Sequence, residues 1–228
     1  MPTKPVLKAV IFDLDGVLVH TSRYHAQAWI DLVRKLGYEP AADLEERVKG
    51  VSRMESLRIA LGDAVAKYSA EELDALADEK NRNYLLLVAG LQPSDLLPGS
   101  LQLLEDLARN GIKIVLGSAS KNARPILDSL AITKYFNAIA DGHAFKRSKP
   151  DPDVFLTAAL LIGAHPSECI VVEDAEAGVT AALAGGFVAV GTGTEASVKH
   201  AHLFVKSMKD LDTAKLRHLH ASKCGKLP

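Results

Sequence analysis

Six short apolar runs, separated by helical patterns and each closed by a polar or glycine-bearing loop, constrain this chain most. The first, VLKAVIF at 6–12, is rich in β-branched residues and apolar at nearly every position. That pattern predicts a strand buried on both faces. Similar runs follow at 112–116 (IKIVL), 138–140 (AIA), 169–172 (CIVV), 187–190 (FVAV) and around 203–205 (LFV). Between them, apolar residues recur at helical spacing over 99–109, 123–130, 152–162 and 175–184. Strand, helix and strand alternating at this interval predict βαβ units and a parallel sheet, a doubly wound, Rossmann-like α/β core.

Residues 20–90 break that rhythm. Ala28, Trp29, Leu32, Val33 and Leu36 fall on one helical face, and Gly37 stops it. A second helix over 70–87 carries Glu71, Glu72, Asp74, Asp78 and Glu79 on a solvated face. The expected organisation is therefore a core made of 1–19 and 91–228, with an all-helical insert at 20–90. An insert leaving the chain just after the first strand would act as a cap over that strand's carboxyl end.

Composition narrows the partners. With 27 Lys and Arg against 28 Asp and Glu, the net charge is -1, so nucleic acid and anionic membrane surfaces are not expected partners. No apolar run approaches a bilayer span. Two cysteines, Cys169 and Cys224, make no disulfide framework and no metal knuckle. A cytoplasmic protein is the expectation, and the balanced charge suits a monomer. Cys169, opening an apolar strand, reads as inert packing. His218 and His220, in a polar tail, read as exposed.

Open parallel sheets bind ligands beyond the carboxyl ends of their strands. Four loops stand there: DLDG (13–16), GSASKN (117–122), KRSKPD (146–151) and EDAEAG (173–178). Asp13 and Asp15 could be turn residues, since Asp-Gly favours turns. Ser120 or Asn122 could cap a helix, with Ser118 beside them in an anion cradle of backbone N–H groups. Lys149 alone could be a solvated charge, and Glu173-Asp174 alone could be helix N-terminal acids. Together the acids form a hard oxygen site suited to Mg²⁺, with a serine and a lysine beside it. That set fits phosphoryl transfer, which needs positioning and charge neutralisation, through a carboxylate nucleophile.

These four ordered segments resemble the haloacid dehalogenase superfamily from end to end of the core. The resemblance implies Asp13 as nucleophile and Asp15 as general acid/base. It implies Mg²⁺ held by Asp13, Asp174, the Asp15 carbonyl and Glu173, and a phosphoryl group held by Ser118 and Lys149. The helical insert resembles the cap that some members carry after the first motif.

Further runs are similar to the β-phosphoglucomutases within that superfamily: Thr21-x-x-x-His25-x-x-x-Trp29, Lys49-Gly50-Val51-Ser52-Arg53, Lys80-Asn81-x-x-Tyr84 and Ser118-Ala119-Ser120-Lys121-Asn122. This likeness implies interconversion of β-glucose 1-phosphate and glucose 6-phosphate, with β-glucose 1,6-bisphosphate as activating intermediate. Arg53, Ser120, Lys121 and Asn122 would grip the phosphate that is not transferred. His25 would contact Asp15 and the sugar, and Lys80 would reach toward the sugar or the cap interface. Lys49 and Gly50 would lie in the specificity loop, Ala119 in the phosphate loop and Thr21 at the hinge. From the residues alone, His25 could be a half-buried helix histidine, Arg53 a surface charge, Lys80 a partner of Asp78 or Glu79, and Thr21 an N-cap. Trp29 is assigned to packing. Two positions depart from the pattern: His20, where an acid is common, and Ala175, where a small hydroxyl residue is common. A sugar-phosphate phosphatase using the same Asp13 intermediate is the first alternative. A non-catalytic sugar-phosphate sensor is the second.

Overall fold

The computed structural model describes residues 5–48 and 51–223. The chain separates into two compact units, Met1–His20 with Gln92–Pro228, and Thr21–Leu91.

The larger unit is built on six strands: β1 (Ala9–Phe12), β2 (Lys113–Gly117), β3 (Ala138–Ala140), β4 (Cys169–Glu173), β5 (Val188–Gly191) and β6 (Leu203–Phe204). Their order is β3-β2-β1-β4-β5-β6, and every pairing is parallel. The order reverses at β1, which pairs with β2 on one side and β4 on the other. The first strand is shorter than its apolar run, because Val6 is exposed and Lys8 turns out to pair with Glu168 at 2.7 Å.

Helices fill the crossovers and cover both faces: α5 (Ser100–Arg109), α6 (Ala123–Ser129), α7 (Asp153–Leu161), α8 (Glu176–Ala184) and α9 (Thr213–Lys223). Side chains alternate along a strand. Ala9, Ile11, Val115, Val171 and Ala189 accordingly share one buried cluster with Val154, Phe155 and Ala158 of α7 and Val179 and Ala182 of α8. Phe155 meets Phe187 edge to face, ring centroids 6.3 Å apart. The intervening residues, such as Val10 and Phe12, turn to the opposite face, where α5 packs on β2 and α9 on β4. Cys169 is buried, and that burial pushes its thiol up to about 12, so it stays protonated and unreactive.

Residues 213–223 are not the solvated tail that their polar composition suggests. In α9, Leu216, Leu219 and His220 are buried, and His220 Nε2 donates to Ser167 O at 2.8 Å. Asp106 anchors the start of this helix by accepting from Thr213 N and Thr213 Oγ1, both at 2.8 Å. His218 remains exposed.

The smaller unit is helical: α1 (Ser22–Lys35), α2 (Leu44–Arg47), α3 (Arg53–Leu61), a 3₁₀ stretch Gly62–Lys67 and α4 (Ala70–Val88). Its core joins Trp29, Leu32, Val33, Leu44, Leu57, Leu61 and Ala77. A capping box opens α4: Ser69 Oγ accepts from Glu72 N, and Glu72 Oε2 accepts from Ser69 N. Among the described residues, no helix is long and apolar enough to cross a membrane.

Candidate active site

Strand register assembles the centre of the site. Phe12 stands between Leu116 of β2 and Val172 of β4. One residue further along, Asp13 emerges beside Gly117 and Glu173, and its N–H donates to Val172 O at 3.0 Å. The chain then turns back on itself, with Leu18 N donating to Leu14 O at 3.0 Å and Gly16 N to Val19 O at 2.8 Å. Gly16 has φ +82, and a Cβ there would overlap the Asp174 carboxylate. Glycine thus permits the left-handed turn and lets that carboxylate lie against the Asp15–Gly16 backbone.

Lys149 closes the centre from the loop before α7. Its side chain is fully buried, and Nζ donates at 2.6 Å to both Asp13 Oδ1 and Glu173 Oε1. The ammonium also stands 4.8 Å above the Phe155 ring centroid. Burial alone would depress this lysine, but the Asp13 and Glu173 carboxylates hold it above its ordinary value. A charge so placed is held by its partners, not by solvent. Burial pushes the Asp13 carboxyl up to about 6, against the pull of Lys149.

Glu173 uses both oxygens as acceptors. Oε1 takes the lysine, and Oε2 accepts from Ala175 N at 2.7 Å. Glu173 thus anchors Lys149, as Asp13 does, and each of their oxygens keeps a further lone pair. Among the described residues, no three His, Cys, Asp or Glu side chains cluster as a metal cage. A dication such as Mg²⁺ needs none, since it takes one or two carboxylates and completes its shell with carbonyls, waters and phosphate oxygens. The Asp174 carboxylate, seated where a Gly16 side chain would be, offers hard oxygens of that kind.

Ser118 follows β2, next to β1. It is buried, its N–H donates to Ala140 O, and its Oγ accepts from Ser120 N at 3.2 Å. Ser120 Oγ in turn accepts from Asn122 N at 3.2 Å. Asn122 is the N-cap of α6 without a side-chain cap bond. Ala119 and Asn122 are partly exposed and Lys121 is exposed.

In the helical unit, His25 of α1 and Lys80 of α4 meet: Nζ lies 2.7 Å from Nδ1. An ammonium only donates, so Nδ1 accepts and Nε2 carries the proton. His25 stacks on Tyr84 at 3.8 Å between ring centroids, and Lys80 lies 4.7 Å from the Trp29 centroid. Burial first, then Lys80 and Arg53, keeps His25 well below its ordinary value, hence neutral. The neighbours that the sequence offered to Lys80 are taken elsewhere: Glu79 pairs with Lys35 at 2.7 Å and Asp78 with Arg53 at 3.4 Å. Thr21 is the N-cap of α1 but makes no side-chain cap bond, and its Oγ1 is buried without a hydrogen-bond partner. Lys49 and Gly50 lie outside the described residues.

Two features escaped the sequence reading. Phe155 looked like ordinary core, though it also underlies the Lys149 ammonium. The sequence reading gave no role to Arg147, Asp151 or Asp153, whose mutual bonds carry no short motif.

The sequence model of the haloacid dehalogenase-like hydrolases matches residues 7–186. A β-phosphoglucomutase of Bacillus subtilis (strain 168) is 45% identical over 214 residues, covering 93% of this chain and 94% of that protein. The crystal structure of a β-phosphoglucomutase from Clostridium difficile aligns with a TM-score of 0.91 at 40% identity, covering 95% of this chain and 98% of that one. A phosphorylated carbohydrates phosphatase of Thermotoga maritima is 30% identical over 185 residues, covering 79% of this chain and 82% of that protein. The match spans β1, β2 and β4, whose ends carry Asp13, Ser118 and Asp174, and on it the chain belongs to the haloacid dehalogenase-like hydrolase family.

Proposed function

We propose that this chain interconverts β-glucose 1-phosphate and glucose 6-phosphate, the β-phosphoglucomutase reaction. The observation that carries this reading is the buried Asp13–Lys149–Glu173 chain at the end of β1, in a protein alike over nearly its full length to a curated β-phosphoglucomutase.

Asp13 is the nucleophile. Its Oδ1 is held by Lys149, so a phosphoryl group is accepted by the other carboxylate oxygen. Phospho-Asp13 gives its phosphoryl group to the 6-hydroxyl of β-glucose 1-phosphate, and Asp15 takes the hydroxyl proton. The product is β-glucose 1,6-bisphosphate. When it binds the other way round, its anomeric phosphoryl group passes to Asp13, Asp15 returns the proton to the leaving oxygen, and glucose 6-phosphate departs. Ser118 and Lys149 orient the transferring group. The carboxylates of Asp13, Asp174 and Glu173 and the Asp15 carbonyl would hold Mg²⁺, which would supply charge neutralisation to the transferring phosphoryl oxygens.

The helical unit serves as the cap in this reading. Arg53, with Ser120, Lys121 and Asn122, grips the second phosphate, since a planar guanidinium suits phosphate oxygens. His25 and Lys80 act on the sugar side, and Thr21 is the hinge. Lys49 and Gly50 belong to the specificity loop. Excluding water from phospho-Asp13 is what separates a mutase from a hydrolase.

A hydrolytic reading is favoured by the likeness to a phosphorylated carbohydrates phosphatase. A phosphorus NMR time course separates the two. It takes β-glucose 1-phosphate, Mg²⁺ and a trace of β-glucose 1,6-bisphosphate, with the α-anomer alongside. Glucose 6-phosphate growing from the β-anomer alone supports the mutase. Inorganic phosphate growing in its place makes the protein a phosphatase. An Asp13→Asn variant that keeps turnover would remove the nucleophile assignment.

A further inference from the structure

We propose that Arg147 is a positioning residue: with Asp151 and Asp153 it forms a clasp across the neck of the loop that carries Lys149. The inference rests on the proposed function only in giving Lys149 its part in turnover.

The clasp is made of named bonds. Arg147 Nη2 donates to Asp153 Oδ1 at 2.7 Å, and Nε donates to Asp153 Oδ2 at 3.0 Å. The Arg147 backbone N–H adds a third bond to Asp153 Oδ2 at 3.2 Å. Nη1, on the remaining arm, lies 3.1 Å from Asp151 Oδ2. Within the loop, Asp151 N donates to Ser148 O at 3.0 Å and Asp153 N to Asp151 Oδ1 at 3.1 Å. Lys149 stands at the apex, two residues beyond Arg147 and two before Asp151.

Its demands explain the clasp. Lys149 Nζ must reach two carboxylates at once, each at 2.6 Å, one after β1 and one on β4. The backbone delivering it belongs to no strand or helix. Asp153, by contrast, opens α7, whose Val154 and Phe155 are buried against the sheet. Arg147 therefore ties the free arm of the loop to a rigid helix. A single exposed ion pair would be worth little, but a bidentate fork joined to a second carboxylate is the geometry in which such pairs do count. Lysine has no fork, so it would not serve equally.

The test uses the full chain in Arg147→Ala, Arg147→Lys, Asp153→Asn and the Arg147→Ala/Asp153→Asn double variant. Two readouts are taken. One is kcat and KM on β-glucose 1-phosphate. The other is the nitrogen-15 NMR signal of the Lys149 ammonium, identified by its loss in Lys149→Met, with its exchange rate against water. Arg147→Ala is expected to lower kcat by about tenfold to a hundredfold, the scale at which small misplacements act. KM should stay within about twofold, as for a group that acts on the chemical step. Ammonium exchange should quicken by about tenfold as the loop opens locally. Asp153→Asn and the double variant should match it without adding, and Arg147→Lys should recover only part. An ammonium signal and exchange rate unchanged in Arg147→Ala would overturn the inference, whatever happens to kcat. A wild type that turns over no sugar phosphate, while the ammonium signal still responds to Arg147→Ala, would leave the clasp standing and remove the proposed function.

Discussion

A Cβ placed on Gly178 would lie 2.6 Å from Cγ of Glu173 and closer still to its carboxylate. The first turn of α8 thus needs a bare backbone where the anchor of Lys149 passes. Gly178→Ala must push Glu173 aside, and with it the 2.6 Å bond from Lys149. Overpacking of this kind costs about 1–3 kcal/mol. We expect a lower thermal midpoint and a turnover loss larger than the stability loss accounts for at assay temperature. Melting curves and kcat on one preparation check this. A Gly178→Ala protein with wild-type kcat would mean that Glu173 does not govern Lys149.

Lys149→Met tests the same chain from its centre. Removing the ammonium leaves Asp13 and Glu173 buried without their shared partner. Breaking a buried ion pair from one side costs about 3–5 kcal/mol. Part of that is recovered by protonating Asp13, whose carboxyl burial already favours keeping its proton. Denaturant unfolding should show the variant destabilised at pH 8 and relatively less so at pH 5. Equal losses at both values would contradict the assignment.

The chemistry-bearing loops were legible because a parallel sheet delivers its strand ends to one edge. Asp13, Ser118, Lys149 and Asp174 could be placed by that rule before any contact was known. Side-chain partners were less legible, because sequence neighbours on a helix diverge by about 100° per residue. Asp78, Glu79 and Lys80 show the consequence: the first meets Arg53, the second Lys35, and the third turns inward to His25. His220 was misread for another reason. Its helix is short and mostly polar, so burial there depends on Leu216, Leu219 and the Ser167 carbonyl, which lies far away in sequence. Glu173 stood beside Asp174 in the sequence, but its bonds to the Lys149 ammonium and the Ala175 N–H carry no sequence signal.

His220 gives a pH prediction. Burial holds its imidazole below the ordinary value. The unfolded chain then binds the proton more readily than the fold. Stability is therefore fully present above the ordinary histidine value of about 6.5 and is lost as pH falls through it toward the depressed one. His202, depressed mainly by burial, and His25, lowered further still, act in the same direction. His220→Gln retains a donor for Ser167 O and removes the titration. Its urea midpoint should fall less than that of wild type between pH 7.5 and 5.5, with a residual slope from the other two. Identical slopes would show that His220 takes up its proton equally readily in the folded and the unfolded chain.

Arg53 and Asp78 offer a prediction of opposite signs. Their 3.4 Å pair has an exposed carboxylate, so it adds little to stability, about 0–1 kcal/mol. If Arg53 grips the second phosphate, Asp78 competes with that phosphate for the guanidinium. Asp78→Asn should then leave kcat intact and hold or lower KM for β-glucose 1-phosphate. Arg53→Ala should lower kcat/KM by about a hundredfold, the loss of a charge-assisted phosphate contact of about 2–3 kcal/mol. Steady-state kinetics of both variants, with β-glucose 1,6-bisphosphate saturating, decide the matter. Parallel losses in the two would make the pair a structural tie and take Arg53 out of the phosphate site.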